Sequence, residues 1–117
     1  MINGAHTILF SADADATRAA LRQVLGTRSV DAGGGWLIFA LPPGEIAVHP
    51  VGEGGEGGRA ELYLMCEDVE ATLTALRDKG IEATRPVSDQ GWGLLTAIAL
   101  PGGIELGLYQ PRHPTAF

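Results

Sequence analysis

Three polar side chains interrupt otherwise apolar segments: His6 in HTILF, Glu61 in ELYLM and Glu105 in GIELGLY. An imidazole and two carboxylates are groups that exchange protons, pair with a ligand or hold a cation. Glu105, set between Ile104 and Leu106, needs a partner if its strand is buried, because an unpaired charge is costly away from water. Alternation along a strand puts Glu105, Gly107 and Tyr109 on one face, with Ile104, Leu106 and Leu108 on the other. By the same parity Glu61, Tyr63 and Met65 oppose Leu62 and Leu64, while His6, Ile8 and Phe10 oppose Thr7 and Leu9. With helices over the aliphatic faces, His6, Glu61 and Glu105 all point to the other, concave side.

Aromatic residues share that side. Tyr63, Tyr109 and Trp92, with Met65 and Phe10, are placed to line an apolar cavity for an aromatic or drug-like ligand. Gly91-Trp92-Gly93 reads as a mobile hairpin tip that closes over it, and Trp36 is expected in the core. His49, two residues from Ala47 on the same face, is expected to contact substrate or shuttle a proton. His113, between Arg112 and Pro114, reads as a surface residue of the tail. Cys66 falls on the helix-facing side, as inert packing. Neither GGG at 33–35 nor GEGGEGG at 52–58 is a phosphate loop, since no Lys-Ser/Thr follows either.

The elements that must position these groups come twice. HTILFSADADATRAALR at 6–22 and ELYLMCEDVEATLTALR at 61–77 are identical at seven of seventeen positions: Leu9/Leu64, Asp13/Asp68, Ala16/Ala71, Thr17/Thr72, Ala20/Ala75, Leu21/Leu76 and Arg22/Arg77. That agreement marks an internal repeat. In each copy a strand runs into an aspartate fit to cap a helix, Asp13 or Asp68, with Asp15 or Glu70 near the positive end of the helix dipole. The first helix is expected over 14–25, burying Ala14, Thr17, Leu21, Val24 and Leu25 and ending at Gly26; the second buries Val69, Thr72, Leu73 and Leu76 and ends at Gly80. Strands are expected at 5–12, 27–32, 36–41 and 45–49 in the first copy, and at 61–66, 81–87, 94–100 and 104–109 in the second, with a turn at 88–93. Repeat one thus covers about 5–50, a glycine-rich linker 51–59 and repeat two 60–111, all within one domain. The fold class is α+β: two βαβββ units forming a curved, mostly antiparallel sheet with helices on its convex face.

Composition narrows the partners. The chain has 117 residues and a net charge of -6, with its eight Lys and Arg scattered, so it lacks the basic face that nucleic acid or an anionic membrane attracts. Apolar runs are too short to span a bilayer. MINGAHTILF has no basic segment ahead of its apolar run, which argues against a secretory signal, and a single cysteine fits a reducing cytoplasm. A small molecule is the expected partner.

The paired βαβββ pattern, the strand-opening His6 and the closing LPGGIELGLYQP together resemble the vicinal oxygen chelate superfamily, across about residues 5–111. That group includes glyoxalase I, fosfomycin-resistance thiol transferases, extradiol dioxygenases and bleomycin-binding proteins. The resemblance implies four ligand positions, here His6, Ala47, Glu61 and Glu105. Ala47 has no donor, so His6, Glu61 and Glu105 would hold a divalent metal with positions open for substrate, Glu105 also serving in catalysis. One imidazole and two carboxylates make a hard, anionic site, suited to Mn, Fe or Mg, with Ni and Zn as further candidates. The implied activity is metal-dependent chemistry of the glyoxalase or dioxygenase type on an oxygen-chelating substrate. The rival is a metal-free binding protein that sequesters an antibiotic in an aromatic crevice. The resemblance also implies a homodimer, and the linker at 50–58 permits either an unswapped arrangement or a strand exchange that would supply His6 from one chain and Glu61 with Glu105 from the other.

Overall fold

The computed structural model describes residues 6–45, 47, 50, 53–55, 57–58 and 60–115. Two helices and six strands follow in the order α1 (Ala14–Leu25), β1 (Ser29–Asp31), β2 (Leu37–Phe39), β3 (Tyr63–Met65), α2 (Val69–Asp78), β4 (Ser88–Asp89), β5 (Gly93–Leu100) and β6 (Ile104–Pro111). The architecture is mixed α+β. No helix among the described residues is long and apolar enough to cross a membrane.

Both helices form where their local signals place them. Asp13 accepts from the Ala16 amide at 3.2 Å and Asp68 from the Ala71 amide at 3.0 Å. Gly26 closes α1 in the left-handed region, φ 61°, where glycine is unstrained. Thr17, Val69, Leu73 and Leu76 are buried as the periodicity requires, whereas Ala14 is exposed.

The strands depart further from expectation. The second repeat builds a four-stranded sheet in the order β3-β6-β5-β4, with β3 parallel to β6 and the other pairs antiparallel. Its expected strand at 81–87 shrinks to a bridge between Ala83 and Ile98, and the strand that does pair, β4, lies inside the expected turn. Pro86 lacks an N–H and so cannot donate to a ladder there. Among the described residues of the first repeat the strands that pair are those of the hairpin β1–β2. Described residues 6–12 form no strand, nor do Glu45 and Ala47; Ile46, Val48 and His49 lie outside the described residues. A strand needs a ladder to satisfy its backbone, and among the described residues the backbone bond that joins 6–12 to another segment is that of the Ala12 amide to the Gly102 carbonyl.

The core belongs to the second repeat. Val69, Leu73 and Leu76 of α2 pack on Ile98, Leu100, Leu106 and Leu108 of β5 and β6, with Ile81 beneath; Leu21 and Val24 of α1 rest on the same cluster. The N-terminus of α1 docks on the Pro101-Gly102-Gly103 turn. There Thr17, buried, donates to the Pro101 carbonyl at 2.6 Å, and the Ala12 amide to that of Gly102 at 3.1 Å. A Cβ on Gly102 would lie 1.9 Å from Ser11 Oγ and 2.8 Å from Thr17 Oγ1. Only glycine admits that approach.

Candidate functional site: an aromatic face

The side of the sheet away from the helices carries the site. Strand parity holds along β6: Leu106 and Leu108 are each 3% exposed on the helix side, leaving Glu105, Gly107 and Tyr109 on the other. Three aromatic rings meet there. Tyr63 stands edge-on to Tyr109 at 5.9 Å between ring centres and 89°, and Trp92 does so at 5.6 Å and 76°. Such perpendicular contacts satisfy the ring quadrupoles and hold each ring's orientation. Tyr63 remains 37% exposed and Trp92 48%, so both still offer surface to a ligand.

Neighbouring groups fix the rings. The Tyr63 hydroxyl donates to Glu61 Oε2 at 2.5 Å, a short bond to a charged acceptor. Burial, and then the negative charge of Glu45, push the Tyr109 phenol above its ordinary range. His113 packs on Tyr109 with ring centres 6.1 Å apart. Its Nδ1 lies 2.8 Å from the Pro114 carbonyl, which only accepts, so Nδ1 carries the proton there and Nε2 faces the Tyr109 hydroxyl at 3.4 Å. The expected surface histidine is thus half-buried against the aromatic cluster.

Trp92 is tied down rather than free-standing. Asp89 accepts from the Gly91 amide at 2.9 Å and from Arg112 Nη1 at 2.9 Å, and the Arg112 amide donates to the Trp92 carbonyl at 2.8 Å. These bonds, the backbone amide first, hold the Asp89 carboxyl below its ordinary range. Phe10 and Trp36, by contrast, are 89% and 58% exposed, away from the cavity and core assigned to them. Arg18 lies over the Trp36 ring at 5.2 Å. Cys66, half-buried among the core's neighbours, is the packing thiol expected, and burial raises its pKa.

The three polar residues behave differently from the aromatics. Glu105 is an ion pair with Arg85, Nη2 to Oε1 2.9 Å, which supplies the partner its position demands. Glu61 is taken by Tyr63. β3 pairs with β6 in parallel from Tyr63 and Gly107 onward, and Glu61 and Glu105 each lie two residues before that pair. His6 is exposed and does not join them: among the described residues no three His, Cys, Asp or Glu side chains are grouped so as to hold a metal ion. The donor set does not fit a metal within one chain. Of the seven site residues expected from sequence, the structure unites Tyr63, Trp92 and Tyr109, engages Glu61 and Glu105 beside them, sets His6 apart, and does not describe His49. Sequence reasoning missed Arg85, whose only signal was Glu105's need for a counter-charge, and His113, four residues beyond Tyr109.

A family model described as Glyoxalase/Bleomycin resistance protein/Dioxygenase superfamily matches residues 4–108. Among solved structures, the fold is similar to TnmS3, an antibiotic binding protein from Streptomyces sp. CB03234, at 22% identity and TM-score 0.62, covering 95% of this chain and 99% of that one. It is also similar to lactoylglutathione lyase from Agrobacterium tumefaciens, at 20% identity and TM-score 0.60, covering 90% of each chain. TioX from Micromonospora sp. ML1 aligns at 16% identity and TM-score 0.54, covering 97% of this chain and 100% of that one. Comparison with the curated proteins finds no sequence match.

Proposed function

The chain belongs to the Glyoxalase/Bleomycin resistance protein/Dioxygenase superfamily, and from that premise we propose that it binds a small planar aromatic molecule on the Tyr63–Tyr109–Trp92 face. The observation that carries this reading is the arrangement of two half-exposed rings set edge-on against a third, more buried one. A planar ligand stacking on Tyr63 or Trp92 meets a ring already oriented, so little freedom is lost on binding. The likeness in fold to an antibiotic binding protein supports a small-molecule ligand. Titration with a neutral planar dye such as Nile red, read by Trp92 fluorescence in a Trp36→Phe background, tests it. Saturable quenching that weakens about tenfold or more in Tyr109→Ala is expected. Quenching unchanged by that substitution would remove the reading.

The partner that completes the face is a second copy of the chain. Ile8, Phe10, Val30, Trp36 and Leu41 of the first repeat are all exposed, and a group of large apolar side chains left open to water is what a second copy would cover. Sedimentation equilibrium should return twice 12.2 kDa, and Phe10→Asp should lower it to one chain.

A metal-dependent reading, with His6, Glu61 and Glu105 as ligands and Mn, Fe, Ni or Zn as the ion, draws support from the parallel pairing of Tyr63 with Gly107, each two residues after one of the carboxylates. It requires His6 from the second copy. Melting with each ion and with EDTA separates it from metal-free binding: a midpoint shift that Glu105→Ala abolishes belongs to a cation site, and a flat response belongs to a binder.

A further inference from the structure

Gly107 is out of place by ordinary strand rules. It sits in the middle of β6, with no positive φ to require glycine, and a bare residue there gives up both packing and backbone entropy. Its neighbour explains it. Tyr63 is its register partner on β3, and a Cβ built on Gly107 would lie 2.1 Å from Tyr63 Cδ1, 2.5 Å from Cε1 and 2.9 Å from Cγ. The Tyr63 ring therefore lies down across the naked backbone of β6. Three contacts on one edge of the ring leave no small displacement that clears an added methyl group, so the whole ring must swing. Gly93 does the same more gently for Tyr109, where a Cβ would meet Tyr109 Cδ2 at 3.3 Å and the Gln110 carbonyl at 2.8 Å.

We infer that Gly107 is the positioning residue of the aromatic face: the space left by its missing side chain is the seat that holds Tyr63 edge-on to Tyr109 with its hydroxyl on Glu61. The inference rests on the reading of this face as a ligand site. Its function is to fix the angle between two rings. A chain with any side chain at 107 keeps the same aromatic residues and presents them differently. Ligand preference in this chain is then set from a position that the ligand itself need not touch.

A double-mutant cycle tests it, because an effect exerted through the ring must vanish when the ring is gone. The four proteins are wild type, Gly107→Ala, Tyr63→Ala and the double variant. With Nile red as probe, Gly107→Ala alone should weaken binding about fivefold to tenfold, and add less than about twofold on top of Tyr63→Ala. An equal loss in both backgrounds overturns the inference. A second readout is independent of any ligand. The chain has only two tyrosines, so 3-fluorotyrosine labelling gives two fluorine resonances, assigned with Tyr63→Phe. Gly107→Ala should move the Tyr63 resonance toward its unfolded position, and an unmoved resonance overturns the proposal. If wild type binds no dye, the binding reading fails while the fluorine spectrum still decides the role of Gly107. Should Gly107→Ala misfold, recovery of folding in the double variant supports the seat, and misfolding of both overturns it.

Discussion

The two repeats start from nearly the same instructions and end differently. Asp13 and Asp68 cap their helices alike, and Thr17 and Thr72 each donate back to the capping residue's carbonyl, at 3.0 and 2.8 Å. Beyond the helices the likeness stops. The second repeat closes a four-stranded sheet and supplies every residue of the buried core cluster, while the first makes a two-stranded hairpin. Helix signals are read within a turn or two of chain, so duplication copies them faithfully. Strands are completed only by neighbours, and duplication of sequence does not duplicate neighbours. Among its described residues the first repeat leaves Ile8, Phe10, Val30, Trp36 and Leu41 exposed, where the second buries its aliphatics.

The sharpest way to break this comparison is to remove one apolar side chain from each half. Leu106→Ala, 3% exposed in the wild type, should cost about 3 kcal/mol by urea denaturation, because it leaves a cavity in a packed cluster. Phe10→Ala, at 89% exposure, should stay within about 0.5 kcal/mol in chain diluted to monomer. An equal cost at high concentration would mean that a second copy buries Phe10. Next in size comes the joint between the halves. Gly102→Ala adds strain at φ 90° to a clash with Ser11 and Thr17, and should cost about 2 kcal/mol. Hydrogen exchange should then show α1 losing protection before α2.

How much was legible follows the same division. Both helices, their caps and Gly26 were readable because each rests on spacing within one segment. The alternation of β6 was readable too, since parity is also local. The shortening of the segment at 81–87 was not: its apolar residues are Ile81, Ala83 and Val87, and it meets β5 through the Ala83–Ile98 bridge and bonds such as the Thr84 amide to the Ala97 carbonyl, 2.9 Å. At the site, Tyr63 and Tyr109 were legible as facing the same way. That Gly107 is the seat of one and His113 the flank of the other depends on tertiary register, which alternation alone does not carry. The trio His6, Glu61 and Glu105 was what the family resemblance implied, and among the described residues these side chains are not grouped.

The caps offer a smaller and more symmetrical test. Asp13→Ala and Asp68→Ala each lose one amide bond of similar length and should each cost about 1 kcal/mol. If the second repeat alone sustains cooperative unfolding, Asp68→Ala should lower the global midpoint, and Asp13→Ala should act mainly on α1 protection.

The smallest effect concerns the tip that carries Trp92. Asp89 has its pKa lowered from 3.8 by the Gly91 amide and then by Arg112. A depressed carboxyl stabilises the fold above its unfolded pKa, and that contribution is lost as pH falls through the folded value. The window therefore lies below about pH 4. In a Trp36→Phe background, Trp92 fluorescence should change as the pH drops through that window, reporting release of the tip from Arg112 and from Tyr109. Asp89→Asn should abolish the transition while leaving far-ultraviolet circular dichroism unchanged, because the carboxylate's partners, the Gly91 amide and Arg112, lie outside both helices. A transition that survives Asp89→Asn would assign the acid sensitivity to another carboxylate, with Glu61 under Tyr63 the next to substitute.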